Sequence, residues 1–354
     1  MANSNLREAK KNKNDEFYTQ YHDIEREMNA YIEYNPDVFR GKVILCPCDD
    51  PAWSNFTKYF AQNFSAFGLR KLICTSYAGG LHEETEYEKN SPQYDAELSK
   101  THGKLFILEE DLTRDGIASF EDFRWAYLEG DGDFRSDEVK TLRDESDFII
   151  TNPPFSLFRE FLAWCLEADK KFIIISNKNA VGYREIFPLI KENKIWSGAT
   201  KWGSFLFTTP ENLKELKSIP AIWLVNVDHN RRHQPLVLMT IEENLRHSKH
   251  KEIIEDGYQK YDNYDAIEVP YTDAIPSDYN EEMGVPISFL DKYCPEQFEI
   301  IGGFNNTKLE EKEGISYVQS TDTPYIDKFG VERIWNGPTV NKQTKYFRIV
   351  IKKI

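Results

Sequence analysis

Short apolar runs rich in β-branched residues alternate with helix-like stretches through the first 230 residues. Nothing else in the sequence limits the fold as strongly. Val43-Ile-Leu-Cys46, Leu72-Ile-Cys-Thr75, Leu105-Phe-Ile-Leu108, Phe148-Ile-Ile-Thr151 and Phe172-Ile-Ile-Ile-Ser176 read as buried strands. Between the first two lies Trp53 to Phe67, where Phe56, Phe60, Phe64 and Phe67 fall on one helical face and Gly68 supplies a stop. Leu157, Phe158, Phe161, Leu162, Cys165 and Leu166 mark a second such helix after the fourth strand. Strand, helix and strand at this spacing predict an α/β domain built on a parallel, doubly wound sheet. Ligands of such sheets sit beyond the C-terminal strand ends, so those ends are where chemistry is expected.

The rhythm stops after about Val227. Asp228-His-Asn-Arg-Arg-His233 is a polar break, and the chain beyond it is rich in Tyr, Asp, Asn and Pro. The expected division is therefore a domain over residues 1–230 and a second, irregular or β-rich domain over residues 231–354.

Composition narrows the setting. No apolar run is long enough to cross a bilayer, and the start, Met1 to Phe17, lacks the apolar core of a signal peptide. The five cysteines, Cys46, Cys48, Cys74, Cys165 and Cys294, form no framework spacing, which fits reduced thiols and a cytoplasmic location. No His or second Cys pair completes a ligand set, so no metal is expected. The formal net charge of -15 argues against nucleic acid, but phosphate contact needs only a local basic face. Lys10, Lys11 and Lys13, then Arg231-Arg232-His233, Arg246 to Lys251 and Lys342 to Lys353 are the candidates; most such clusters are simply solvated surface.

Asn152-Pro153-Pro154-Phe155 follows directly on the fourth strand and precedes a helix, at a C-terminal strand end. An amine on an aromatic ring is a poor nucleophile because its lone pair is delocalised. The amide oxygen of Asn152 and the carbonyl of Pro153 can accept its two hydrogens and aim its lone pair at an electrophile. The prolines stiffen the loop and remove competing donors, and Phe155 offers a face for an extruded base. Taken alone, the tetrapeptide also reads as an ordinary proline-rich loop with Phe155 in the core.

The order of elements adds to it. Asp15-Glu-Phe-Tyr-Thr-Gln20, the loop Cys48-Asp-Asp-Pro51 with Ser54-Asn-Phe56, Asn152 to Phe155, and Gly284-Val-Pro-Ile-Ser-Phe-Leu-Asp-Lys-Tyr293 together resemble the EcoRI modification methylase family, adenine-N6 methyltransferases of DNA. The resemblance implies a Rossmann-like, S-adenosylmethionine-dependent catalytic domain followed by a C-terminal target-recognition domain. It implies cofactor contacts from Phe17, Tyr18 and Thr19, from Pro47, Cys48, Asp49 and Asp50, from Ser54, Asn55 and Phe56, and from Asp111 and Leu112. Asn152, Pro153, Pro154 and Phe155 would hold the target adenine. Double-stranded DNA is the implied partner, with Arg231 and Arg232 as candidate phosphate contacts, and a restriction endonuclease of the same site as a companion.

Two departures stand out. None of Cys46 to Phe56 is glycine where many methyltransferases have a glycine-rich loop, and the second strand runs into Ser76-Tyr77 where a ribose-binding carboxylate is common. Pro47-Cys48 invites comparison with the cytosine-methylating Pro-Cys nucleophile. Here the pair follows strand one and is crowded by two carboxylates that raise a thiol pKa, so a small residue lining the loop is the better reading. Trp202, Phe205 and Phe207 offer either a wall of the base pocket or core packing, with core favoured for the two Phe; Lys178 and Asn179 end strand five near the same crevice. Two alternatives stay open: an amino-methyltransferase of RNA or protein glutamine, and a catalytically silent DNA-binding relative.

Overall fold

The computed structural model describes residues 18–78, 84–110, 117–209, 212–305, 316–327 and 329–354. Phe17, Asp111, Leu112 and the lysines at 10, 11 and 13 lie outside them. The chain divides into two compact units. One runs to Lys178 and resumes over Ser197–His229; the other comprises Asn179–Trp196 and Asn230–Ile354.

Among the described residues the first unit is organised by a ten-stranded mixed sheet. Its strands are β1 (Tyr18–Thr19), β2 (Val43–Cys46), β3 (Lys71–Ser76), β4 (Lys104–Leu108), β5 (Arg124–Tyr127), β6 (Phe148–Thr151), β7 (Lys171–Asn177), β8 (Trp196–Ser197), β9 (Gly203–Thr209) and β10 (Asn212–Val225). The order is β1-β9-β10-β7-β6-β2-β3-β4-β5, with β8 paired to β10 off this path. Four strands, β3-β2-β6-β7, are parallel. All of β2 and β6 is buried, as a parallel sheet covered on both faces requires.

The expectation of a wholly parallel sheet fails at β4, which runs antiparallel to β3, as does β5 to β4. A run such as Leu105-Phe-Ile-Leu108 announces a buried strand but carries no mark of its direction. The helix expected over Trp53 to Phe67 is also two pieces, Asn55–Gln62 and Phe64–Phe67, separated at Asn63 and closed by Gly68 in the left-handed region.

Because β2 lies between β3 and β6, the chain leaves β2 towards one side and returns on the other. This is a topological switch point, and it places the loops after β2 and β6 side by side at the same sheet edge.

A buried clamp steadies the first unit. Glu27, on the helix Tyr21–Tyr34, accepts hydrogen bonds from the backbone N–H groups of Ala199 and Thr200, both at 2.7 Å, and from the Tyr31 hydroxyl at 2.7 Å. Burial pushes its carboxyl pKa upward against those donors. Gly198 makes the approach possible, since a Cβ there would lie 2.2 Å from Glu27 Oε1 and 2.4 Å from Trp223 Cβ. Gly198→Ala is expected to destabilise the protein by about 1–3 kcal/mol through overpacking. An unchanged urea midpoint would mean the clamp yields freely.

The second unit holds a four-stranded sheet, β11 (Ile267–Glu268), β12 (Met283–Pro286), β13 (Phe298–Phe304) and β18 (Arg348–Lys353), in the order β11-β12-β18-β13. Two small hairpins accompany it: β14 (Thr323–Ile326) with β15 (Glu332–Trp335), and β16 (Thr339–Val340) with β17 (Gln343–Thr344). Val285, Phe289, Phe298, Ile349, Val350 and Ile351 are fully buried. Arg348 forms a 2.7 Å ion pair with the buried Glu268, which also accepts from Tyr261.

Candidate functional site

At the switch point the two loops are bolted together through one carboxylate. Asp49 Oδ2 accepts from Thr151 Oγ1 at 2.5 Å, and Asp49 Oδ1 accepts from Ser54 Oγ at 2.6 Å. The Thr151 hydroxyl also lies 3.1 Å from the Pro47 carbonyl. Thr151 immediately precedes Asn152, so the residue that ends β6 is referenced to the loop that ends β2. Ser54 in turn caps the helix Asn55–Gln62 by accepting from the N–H groups of Phe56 and Thr57. Burial raises the Asp49 pKa to about 7 despite both hydroxyl donors, and burial together with Glu88 raises Asp50 to about 7.

The missing glycine has a structural counterpart. Cys48 adopts φ 64°, the left-handed conformation that glycine takes without strain, and its N–H donates to Thr75 Oγ1 at 3.1 Å. The turn is thus made by an ordinary residue held by its hydrogen bond to β3.

A cleft of about 270 Å³ opens beside these loops. From the sequence-derived set, Tyr18, Thr19, Cys48, Asp49, Ser54, Asn55, Phe56, Asn152 and Pro154 line it. The N-terminal element reaches it because β1 pairs with β9 and Asn55 Nδ2 donates to the Thr19 carbonyl at 2.8 Å. The Tyr18 ring lies 4.7 Å from Trp53. Pro47, Asp50, Pro153 and Phe155 are not among the lining residues. Asp50 is buried towards Glu88 and Lys104, which form a 2.6 Å buried ion pair. Phe155 sets its ring edge-on to Phe207 at 6.4 Å. Phe205 and Phe207 are buried, in keeping with core packing. Lys178 lies 5.4 Å from the Trp202 ring.

Trp53, Tyr77, Asp133, Phe134, Arg135, Ser156 and Leu157, none of them given a site role from the sequence, also line the cleft. The only signal for the 133–135 group was Gly130-Asp-Gly-Asp133, a turn composition that marks a loop and not its destination.

In the second unit Arg231 pairs with Asp291 at 2.8 Å, and Arg232 stacks on Trp196 at 3.7 Å while donating to Asn193. Both guanidinium groups are therefore engaged within the chain.

A ligand-sized cleft at the parallel switch point of a mixed α/β sheet, with an Asn-Pro-Pro-Phe loop on its rim, is the build of a group-transfer enzyme. The chain belongs to the family described as adenine-specific methyltransferase EcoRI, whose profile matches residues 5–354. It is 44% identical over 318 residues to the Type II methyltransferase M.EcoRI of Escherichia coli, covering 85% of this chain and 89% of that protein. Type II methyltransferase M.MpnI of Mycoplasma pneumoniae is 34% identical over 363 residues, covering 98% and 97%. Type II methyltransferase M.MgeORF184P of Mycoplasma genitalium is 31% identical over 361 residues with the same coverage. No solved structure matches the chain.

Proposed function

We propose that this member of the family methylates the exocyclic amine of a flipped-out adenine in a specific site of duplex DNA, using S-adenosylmethionine bound in the cleft of a Rossmann-like domain. The observation that carries the reading is the coupling of Asn152 to the cofactor loop through Thr151 and Asp49. The lining fits such a cofactor, with aromatic faces from Tyr18, Trp53 and Tyr77 for a flat ring or a sulfonium cation, and carboxylates from Asp49 and Asp133. Bound there, the cofactor supplies an electrophilic methyl group.

The chain's own residues orient the nucleophile. The Asn152 amide oxygen and the Pro153 carbonyl accept the two amine hydrogens and turn the lone pair towards the cleft. Phe155, half-buried after Pro154, provides a surface for the extruded base. Positioning supplies most of the rate: the methyl–sulfur bond would break to leave a neutral thioether, and the methylated nitrogen, left cationic and acidic, would release one of its two hydrogens as a proton to water without a strong base.

The second unit is assigned target recognition. Its two small hairpins expose Ile326, Phe329, Ile334 and Lys342, and the segment after β17 exposes Tyr346, a mixture suited to base edges and phosphates. With Arg231 and Arg232 engaged internally, Lys342 and Lys345 are the better candidates for phosphate contact. Replacing both lysines by alanine is expected to flatten the dependence of log affinity on log salt by roughly one to two. Replacing Arg231 and Arg232 should instead lower the melting temperature and leave that slope alone. The reverse pattern would return the phosphate contact to the arginines. A cytoplasmic setting and a companion nuclease of the same site belong to the same reading.

The deciding experiment incubates the purified chain with duplex DNA and methyl-labelled cofactor, then digests the DNA and identifies the labelled nucleoside by mass spectrometry. N6-methyladenine supports the proposal. Label in RNA or protein but not DNA, or no transfer with intact DNA binding, would replace it by one of the two alternatives.

A further inference from the structure

The end of β3 runs into Ser76-Tyr77 and carries no carboxylate of its own, yet the fold brings one there from elsewhere in the chain. The loop between β5 and the helix Asp137–Glu145 folds back onto that strand end. Ala78 N–H donates to the Asp131 carbonyl at 2.7 Å, and Gly103 N–H to the Gly130 carbonyl at 2.9 Å. The approach is so close that a Cβ on Gly132, at φ +84°, would lie 2.3 Å from the Ser76 carbonyl oxygen. Glycine is required there for both reasons. The result is that Asp133 lines the cleft beside Tyr77.

Asp133 is held by a fork. Its Oδ1 accepts from Arg135 N–H at 2.8 Å and from Arg135 Nε at 2.9 Å, and its Oδ2 accepts from Arg135 Nη2 at 2.6 Å. Arg135 is itself tethered by Nη1 to Glu160 Oε2 at 2.9 Å. The Arg135 hydrogen bonds hold the Asp133 carboxyl below the usual carboxylate range. A carboxylate offers about four acceptor sites; among the described residues three donor contacts are seated on it, which leaves one position on Oδ2.

We propose that Asp133 accepts a hydroxyl hydrogen of the cofactor's ribose, with Arg135 as its positioning residue. The inference rests on the S-adenosylmethionine reading and names the residue that serves in place of a carboxylate on β3. The Arg135 fork decides which donor suits the site. A cationic ammonium would meet the guanidinium charge beside Asp133, whereas a neutral hydroxyl gains a charge-assisted hydrogen bond without that repulsion. The order of the strands agrees: Asn152 at the end of β6 draws the reacting methyl to one side of β2, and Asp133 lies on the other side, at β3.

The test is direct binding, followed by the fluorescence of Trp53 or by calorimetry. The probes are S-adenosylhomocysteine and its 2′-deoxy and 3′-deoxy counterparts, titrated into the full chain, Asp133→Ala and the near-isosteric Asp133→Asn. The wild-type chain should bind one deoxy analogue about ten- to hundredfold more weakly than the parent. Asp133→Ala should bind parent and analogue alike, and Asp133→Asn should keep only a few-fold preference. Equal binding of all three probes by the wild-type chain, or wild-type discrimination surviving in both variants, overturns the assignment of Asp133. Failure of the wild-type chain to bind the parent at all would instead overturn the cofactor reading, and this inference with it.

Discussion

Replacing Asn152 by alanine is expected to slow methyl transfer by about a hundredfold or more while leaving cofactor affinity nearly unchanged. The size follows from removing one preorganised polar contact at a reacting centre. The selectivity follows from position, since Asn152 sits after β6 on the rim of the cleft, whereas the loop after β2 and the capped helix Asn55–Gln62 form its floor. Asn152→Asp, which keeps acceptor oxygens at the same place, should retain more activity than alanine. Single-turnover rates and equilibrium cofactor binding, measured on the same preparations, separate the two quantities. Near-wild-type turnover in the alanine variant would remove Asn152 from the reaction, and a parallel loss of cofactor binding would make its role structural.

Cofactor binding should also depend on pH through Asp49. Burial raises its pKa to about 7, so below that value the carboxyl carries its proton and presents no charge to a cationic ligand. A sulfonium-bearing cofactor favours the ionised form, so affinity is expected to rise with pH by up to about tenfold per unit and to level off above about pH 7. Between pH 5 and pH 7 the rise is therefore at most roughly a hundredfold. Folding stability without cofactor moves in the opposite direction. A carboxyl whose folded pKa lies above its unfolded value of about 3.9 holds an extra proton in the folded state, so its stabilising contribution is complete below pH 4. That contribution is lost as pH climbs to about 7, and Asp50 acts in the same sense. Asp49→Asn should flatten the binding profile and remove its share of the stability slope, because the amide does not titrate. Identical binding profiles for the variant and the wild-type chain would show that Asp49 stays ionised and acts only as the link between Ser54 and Thr151.

The strands that carry the site were legible because a buried parallel strand leaves a continuous apolar run. Val43 to Cys46 and Phe148 to Thr151 each begin and end where the sequence places them. The chemistry at their ends was legible too, since a loop that follows a buried strand has to emerge at the sheet edge. That local logic brought Asn152 into view, while Asp49, Ser54 and Asn55 came from the resemblance to the family.

It did not reach Asp133, Arg135 or Tyr77. Their place in the cleft depends on a glycine-permitted contact between residues far apart in the chain, Gly132 against Ser76, which no local pattern encodes. The direction of β4 escaped for a related reason. Hydrophobic periodicity reports burial, and burial is the same for either direction of the strand. The partners of Arg231 and Arg232 are likewise supplied by the fold: a basic pair looks like surface until Asp291 and Trp196 are brought against it.

By itself the sequence determined the strand–helix rhythm, the position of the Asn152 loop at a strand end, and the family. These are properties of short segments, set by side-chain chemistry and by the period at which apolar residues recur. Only the tertiary structure decided that the loops after β2 and β6 share Asp49, that Cys48 takes the conformation of a glycine, and that a carboxylate from residue 133 lies at the end of β3. Those are matters of which strands become neighbours, and neighbours are chosen by packing the whole sheet at once.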